Sequence, residues 1–220
     1  MLKIHLQKRS LLPSILLIPL LLFGKPSHEK IFSNYYKIGE WDESGFSLSG
    51  SQLDITREYV EYLQEFLEEN NIKTVVDLGC GDWAFSRYID WTGIQYLGID
   101  VVKDVIDRNQ KKFAKPNIVF KHGNFSNMLL PDANLFLCKD VLQHFSNDDI
   151  RKVISLFSKY QHCLITNYID HLFLLRNNHE IKTGEYHPID LSQPPFKLKG
   201  EKVLDFFSGV APKQTFYIRN

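Results

Sequence analysis

The chain has 220 residues and 44% hydrophobic content, enough for one domain with a core of its own. Its 26 Lys and Arg balance 26 Asp and Glu, so the basic excess that accompanies duplex nucleic-acid binding is missing, and no such partner is expected. Cys80, Cys138 and Cys163 are widely spaced, with no C-x-x-C pair. That spacing argues against a disulfide framework or a zinc site and for a reducing compartment; no metal is expected.

Lys3, Lys8 and Arg9 precede an apolar run, Leu11 to Phe23, which Pro13 and Pro19 interrupt. It is shorter than the ~20 residues of a spanning helix and matches the ~7–15 residues of a signal-peptide core. Leu22-Phe23-Gly24-Lys25-Pro26 offers no small-x-small cleavage site, and Lys25, Lys30 and Lys37 offset the basic residues on the other flank, so no topology follows. Residues 1–30 therefore read as a hydrophobic segment of signal or anchor type, able to bring the protein to a membrane through residues 11–23. A hydrophobic arm, or a start assigned too early, gives the same pattern. Residues 31–72 read as a cap and helix, and 73–220 as the main domain.

Ile55, Tyr59, Leu63, Phe66 and Leu67 recur at helical spacing over Asp54–Glu69. Thr74–Leu78 is a β-branched run closed by glycine, hence a buried strand. A short helix over Phe85–Ile89, a strand Gln95–Ile99 and a helix over Val102–Ala114, stopped by Pro116, follow. Ile118–Lys121, Leu135–Cys138 and Cys163–Thr166 are further strands. Between the last two, Ser146 and Asp149 resemble a capping box ahead of Ile150, Val153, Ile154 and Phe157 on one helical face. Lys202–Phe207 and Gln214–Arg219 close the chain as two strands. Residues 167–200, with Pro188, Pro194 and Pro195, are too long for an ordinary connection and read as a substrate-side insert or lid.

Alternating strands and helices predict a doubly wound, mostly parallel α/β sheet with helices on both faces. Ligands of such sheets bind beyond the carboxyl ends of the strands, so the strand-end residues carry the functional argument. The first strand ends Asp77-Leu78-Gly79-Cys80-Gly81-Asp82-Trp83, in which the two glycines allow a tight turn and close backbone approach to a ligand. Gly79, Gly81 and Ala84 also satisfy G-x-G-x-x-A, and Asp100 follows about 20 residues on, so an NAD-dependent oxidoreductase must be weighed. Asp77 before the turn, the bulk of Trp83, and the charged run Lys139-Asp140-Val141-Leu142-Gln143-His144 after the fourth strand point away from it.

Taken together, Asp77-Leu78-Gly79-Cys80-Gly81, Tyr96-Leu97-Gly98-Ile99-Asp100 and Lys139-Asp140-Val141-Leu142-Gln143-His144 resemble the class I S-adenosylmethionine-dependent methyltransferases, in order and spacing over Lys73–Arg219. The resemblance implies a Rossmann-like sheet ending in an antiparallel hairpin, with S-adenosyl-L-methionine as cofactor. It implies that Gly79 and Gly81 underlie the methionine moiety with Asp77 nearby, flanked by Cys80, Asp82 and Trp83. It further implies that Asp100, next to Val101, accepts bonds from the ribose hydroxyls, and that Gly123, Asn124 and Phe125 face the adenine. Lys139, Asp140 and Val141 complete the cofactor side, and Asn124 stands where the family often has aspartate.

His144 is the candidate general base, since an unperturbed imidazole titrates near neutrality, and Asp140 would orient it or hold the acceptor. Trp41, in Trp41-Asp42-Glu43-Ser44-Gly45, together with Asn167, Tyr186 and Asp190, are candidate acceptor contacts. The acceptor is expected to be a small molecule. A cofactor drawn from the cytosol favours a cytoplasmic protein. A non-catalytic relative that keeps the fold as a scaffold is the remaining alternative.

Overall fold

A computed structural model describes residues 27–37, 53–172, 177–209 and 211–220. The apolar run 11–23 and Trp41 lie outside the described residues. The elements are α1 (His28–Lys37), α2 (Leu53–Glu69), β1 (Thr74–Leu78), β2 (Gln95–Asp100), α3 (Lys103–Phe113), β3 (Ile118–His122), β4 (Ala133–Lys139), α4 (Asn147–Ile154), β5 (Tyr160–Tyr168), β6 (Glu201–Phe207) and β7 (Pro212–Arg219). They build one seven-stranded sheet in the order β3-β2-β1-β4-β5-β7-β6. β1 to β5 run parallel, while β7 enters antiparallel between β5 and β6, which is the doubly wound sheet with a closing hairpin expected from sequence.

Strand alternation sorts the core into two layers, because successive side chains leave opposite faces of a sheet. Val76, Phe136, Cys138, Cys163 and Ile165 face one cluster, which Phe32 of α1 and Ile150 and Val153 of α4 cover. Val75, Leu135, Leu137 and Leu164 face the other, covered by Tyr59, Leu63, Phe66 and Leu67 of α2. α3 divides its contacts, with Val105 in the first cluster and Ile106 in the second. All three cysteines are free and buried. Among the described residues, no helix is long and apolar enough to cross a membrane.

Four details differ from the sequence expectation. The short helix after the glycine turn is a single 3-10 turn, Ser86–Tyr88, and α4 ends at Ile154, leaving Phe157 to a separate 3-10 turn where it is still buried. Only half of the capping box forms: Ser146 accepts the Asp149 N–H at 3.3 Å, but the Asp149 carboxylate turns to His28 at 3.0 Å and Thr183 at 2.6 Å. The Ser146 N–H donates instead to Thr183 Oγ1 at 3.0 Å, so tertiary partners replace the local one. Fourth, the sequence expectation holds no helix at α1. Ile31, Phe32, Tyr35 and Tyr36 do lie at helical spacing, but the residues before them read as leader.

The insert is held by backbone-mimicking bonds rather than by strands. Asn178 Nδ2 donates to the Asp190 carbonyl at 2.7 Å and the Pro194 carbonyl at 2.9 Å, and its Oδ1 accepts the Asp190 N–H at 2.9 Å. Lys202 of β6 pairs with the Asp190 carboxylate at 2.9 Å, tying insert to sheet.

Phe136 is fully buried between Phe157 and Tyr160 at the sheet centre. Its replacement by Ala is expected to cost about 3–5 kcal/mol, read as a lowered urea midpoint. Leu129→Ala, at a side chain 86% exposed, is expected to stay within about 0.5 kcal/mol.

Candidate functional site

Strand order reverses between β1 and β4, and a cleft of about 750 Å³ opens there beyond the carboxyl ends of the parallel strands. Its floor is the glycine turn. Gly79 and Gly81 take φ of +75° and +53°, the left-handed region in which a side chain is strained. The Gly79 and Cys80 N–H groups both donate to the Ile99 carbonyl, at 2.8 and 3.1 Å, which fastens the turn to the end of β2. A Cβ on Gly79 would come within 2.2 Å of Val141 Cγ2, so the β4 end rests directly on the bare backbone.

Asp100 closes the same corner. Its Oδ2 accepts the Gly81 N–H at 3.1 Å and its Oδ1 the Val102 N–H at 2.9 Å, so this acid both braces the turn and holds the residue that leads into α3. Burial raises its carboxyl above the ordinary range, and the N–H groups of Val102, Gly81 and Val101 oppose that. Cys80, Asp82 and Val101 line the cleft beside it.

Asp77 and Trp83, expected beside the ligand, do not line it. The Asp77 carboxylate lies under the floor and accepts the Tyr96 hydroxyl at 2.6 Å. Burial, foremost, pushes its pKa up to about 7, with the Asp100 charge adding and Tyr96 and Lys139 opposing. Trp83 packs among Tyr96, Phe113 and Phe120, with ring centroids at 5.7, 5.1 and 5.4 Å, and is core. The positive φ of Trp83, 62°, turns its indole away from the turn and down onto the sheet.

Gly123, Asn124 and Phe125 line the opposite edge, where the Gly123 N–H donates to the Asp100 carbonyl at 2.9 Å. The Asn124 side-chain oxygen already accepts Ser126 N–H and Oγ–H at 3.0 and 2.8 Å, so it shapes the turn. Phe125 stacks with Phe145 at 5.3 Å, and His28 of α1 stacks against both, at 5.6 and 5.5 Å. With Phe32, Tyr35 and Tyr36 in the lining and Tyr35 Oη donating to the Gly184 carbonyl at 2.6 Å, α1 forms a wall of the cleft. Sequence reasoning missed these residues, although the helical spacing of Phe32 and Tyr36 could have found them.

At the β4 end Asp140 adopts φ +60°, a backbone state that asparagine and aspartate tolerate better than most. Its carboxylate receives Lys139 Nζ on one oxygen and Lys213 Nζ on the other, each at 2.5 Å. Burial would raise its carboxyl, but the two ammonium groups outweigh burial and hold it well below the usual range. Lys213, on β7, is a site residue that no motif announced. It also reaches Gln143 Oε1 at 3.3 Å, and that oxygen accepts the Tyr168 N–H at 2.7 Å.

His144 lines the cleft but is nearly buried, with Nδ1 placed 3.2 Å from the Glu185 carbonyl. Burial drives its pKa from 6.5 to about 4, so the near-neutral titration expected of it gives way to a neutral imidazole. Tyr186 joins the site, 5.3 Å from the His144 ring and parallel to Tyr168 at 5.3 Å. Asn167 and Asp190 do not join it. Asn167 is buried in register with Gln214, and Asp190 is buried, holding Lys202 and Ser192 in the insert. Among the described residues no three His, Cys, Asp or Glu side chains gather as metal ligands.

Residues 75–160, which carry most of this strand-end constellation, match the family described as methyltransferase domain. The chain is 28% identical over 152 residues to O-methyltransferase 2 of Dictyostelium discoideum, a match covering 63% of this chain and 45% of that protein, so the chain spans less than half of its relative. The fold is shared with the magnesium protoporphyrin IX methyltransferase of Synechocystis PCC 6803 solved with bound SAM, at TM-score 0.63 and 15% identity over 89% of this chain and 98% of that one. It is shared too with human N-acetylserotonin methyltransferase in complex with SAM, at TM-score 0.55 and 15% identity over 89% and 60%.

The buried titratable groups give opposing pH trends. Between pH 6.5 and about 4 the unfolded chain protonates at His144 and the folded one does not, so lowering the pH through this window removes stability. Asp77 acts the other way, because the folded state keeps its proton up to about pH 7 and loses stability as the pH rises toward that value. His144→Gln is expected to remove the first trend alone, so its melting temperature gains on the wild type as the pH falls from 7 to 4. Parallel curves in thermal melts would contradict the buried, neutral imidazole.

Proposed function

We propose that this chain binds S-adenosylmethionine over the β1–β4 switch point and transfers its methyl group to an oxygen of a small-molecule acceptor. The observation that carries this reading is the Asp100 carboxylate bridged to the Gly81 N–H at 3.1 Å at the mouth of a large cleft. A glycine turn that admits no Cβ, against an acid with lone pairs left over, fits a nucleoside carrying a charged aliphatic tail. Asp100 would hold the ribose hydroxyls, Gly79, Cys80, Gly81 and Asp82 the methionine part, and Val101, Gly123, Asn124 and Phe125 the adenine edge. Lys139, Asp140 and Val141 close the β4 side. The oxygen acceptor is supported by the name of the Dictyostelium relative.

When bound, the cofactor supplies an electrophilic methyl on a sulfonium sulfur, so the protein has no covalent intermediate to form. Its own residues position and exclude. Holding donor and acceptor in near-attack geometry is worth about 7–11 kcal/mol. Here α1 supplies one wall through Phe32 and Tyr36, and Tyr168 and Tyr186 the other. His144, neutral at pH 7 with a pKa of about 4, is a weak proton acceptor, and we assign it to orienting the acceptor rather than to deprotonating it. Asp140, saturated by two lysines, keeps those cations in place.

The test is calorimetry with S-adenosylhomocysteine, paired with transfer of a labelled methyl group from S-adenosylmethionine. Wild type is expected to bind, and NAD to leave its melting temperature unmoved. Losing two hydrogen bonds to a charged group, at about 1.5–3 kcal/mol each, makes Asp100→Ala about a hundredfold weaker or worse. Trp83→Phe, in the core, is expected to bind normally. Near-normal affinity in Asp100→Ala would overturn the ribose assignment, and stabilisation by NAD would favour an oxidoreductase.

A further inference from the structure

The β4–β7 corner of the cleft carries more positive than negative charge. Lys139 and Lys213 side chains are 4% and 5% exposed, and both ammonium groups converge on the one carboxylate of Asp140. Lone buried charges are costly, so a corner with two cations and one anion invites a second anion. An ammonium has three N–H donors, and Lys213 spends one on Asp140 and one on Gln143, leaving a third. Lys139 gives one to Asp140 and lies over the rings of Tyr59 and Phe85 at 5.6 and 5.2 Å.

The remaining charges do not cancel this excess. Asp82 and Asp100 line the cleft at its glycine-turn end. Glu185 lines the cleft on its exposed lid side, where its carboxylate accepts the Lys182 N–H at 2.9 Å, and Asp77 lies under the floor on the Tyr96 hydroxyl. Next to the cationic corner is a flat surface. Tyr168 is the register partner of Lys213 across β5 and β7, and it stacks on Tyr186 with an interplanar angle of 6°.

We propose that the methyl acceptor is a planar aromatic anion whose carboxylate or phenolate oxygen is held by Lys213. The proposal rests on the reading of the cleft as a methyl-transfer site and supplies what that reading lacks, since neither His144 nor Asp140 is a competent base. An oxygen that already bears the negative charge needs none. Its lone pair forms the O–CH3 bond while the methyl–sulfur bond breaks and leaves its pair on sulfur, and no proton changes hands. Lys213 is thus a specificity-determining residue that favours the ionised acceptor.

The test uses the full chain saturated with S-adenosylhomocysteine and matched probes: benzoate, cinnamate and 4-nitrophenolate against benzamide, cinnamamide and 4-nitroanisole. Thermal shift and calorimetry are expected to find binding only among the anions. Lys213→Met is expected to lose tenfold or more in anion affinity while S-adenosylhomocysteine affinity stays within twofold, and Lys213→Arg to restore most of the loss. Lys213→Gln, which keeps a donor to Asp140, serves where Lys213→Met lowers stability. Equal binding of the neutral partners, or no binding by any anion, overturns the proposal. So does a Lys213→Met variant that weakens S-adenosylhomocysteine itself, because Lys213 then holds the cofactor's own carboxylate. Absence of S-adenosylhomocysteine binding by wild type, read in a separate titration, overturns the parent reading and this one with it.

Discussion

The bridge from the Gly81 N–H to the Asp100 carboxylate, 3.1 Å long, is the contact on which the site depends. It joins the ends of two neighbouring parallel strands, and both partners are already constrained. Gly81 occupies left-handed backbone, and Asp100 is anchored by the Val102 N–H just ahead of α3. Asn109 of α3 adds a bond to the Gly81 carbonyl at 2.7 Å, so the turn is gripped from strand and helix together. A ligand meeting this corner finds donors and acceptors preorganised, and loses little affinity to ordering them.

Three aspartates end three adjacent strands and meet three fates. Asp140 faces two ammonium groups and remains ionised. Asp100 meets backbone N–H groups and keeps capacity for more donors. Asp77 meets only a tyrosine hydroxyl under the floor, and burial lifts its pKa to about 7. The same side chain near the carboxyl ends of three adjacent strands thus serves as a counter-ion, a brace of the glycine turn and a buried acceptor, and the partner decides which. The neutral His144 extends this pattern, because the site spends its polar groups on placing charge rather than on moving protons.

Closure comes from opposite ends of the chain. α1 lays its aromatic face over the β3 and β4 ends, secured by His28 to Asp149 at 3.0 Å and Tyr35 to the Gly184 carbonyl at 2.6 Å. The insert contributes Tyr186 and Glu185 and is pinned to the sheet through Asp190 and Lys202. These walls flank a cleft whose floor is backbone, and charges set between them are less screened than charges on an open surface.

The amino-acid sequence by itself determined the element order, the parallel sheet with its closing hairpin, the glycine turn and the acid that follows it. Those are local properties: apolar periodicity sets helix or strand, and only glycine occupies a left-handed turn without strain. Tertiary structure decided which strand-end residues reach the ligand. Asp77 pairs with Gly98 and shares a sheet side with Asp100, but it sits inside β1 beneath the turn, whereas Asp100 ends β2 at the cleft; Trp83, beyond the strand, packs into the core. Lys213 enters the site only because β7 slots antiparallel beside β5, and His28 only because α1 folds back across the strand ends. Neither pairing leaves a trace at short range, since the partners lie 73 residues apart for Lys213 and Asp140 and 121 for His28 and Asp149.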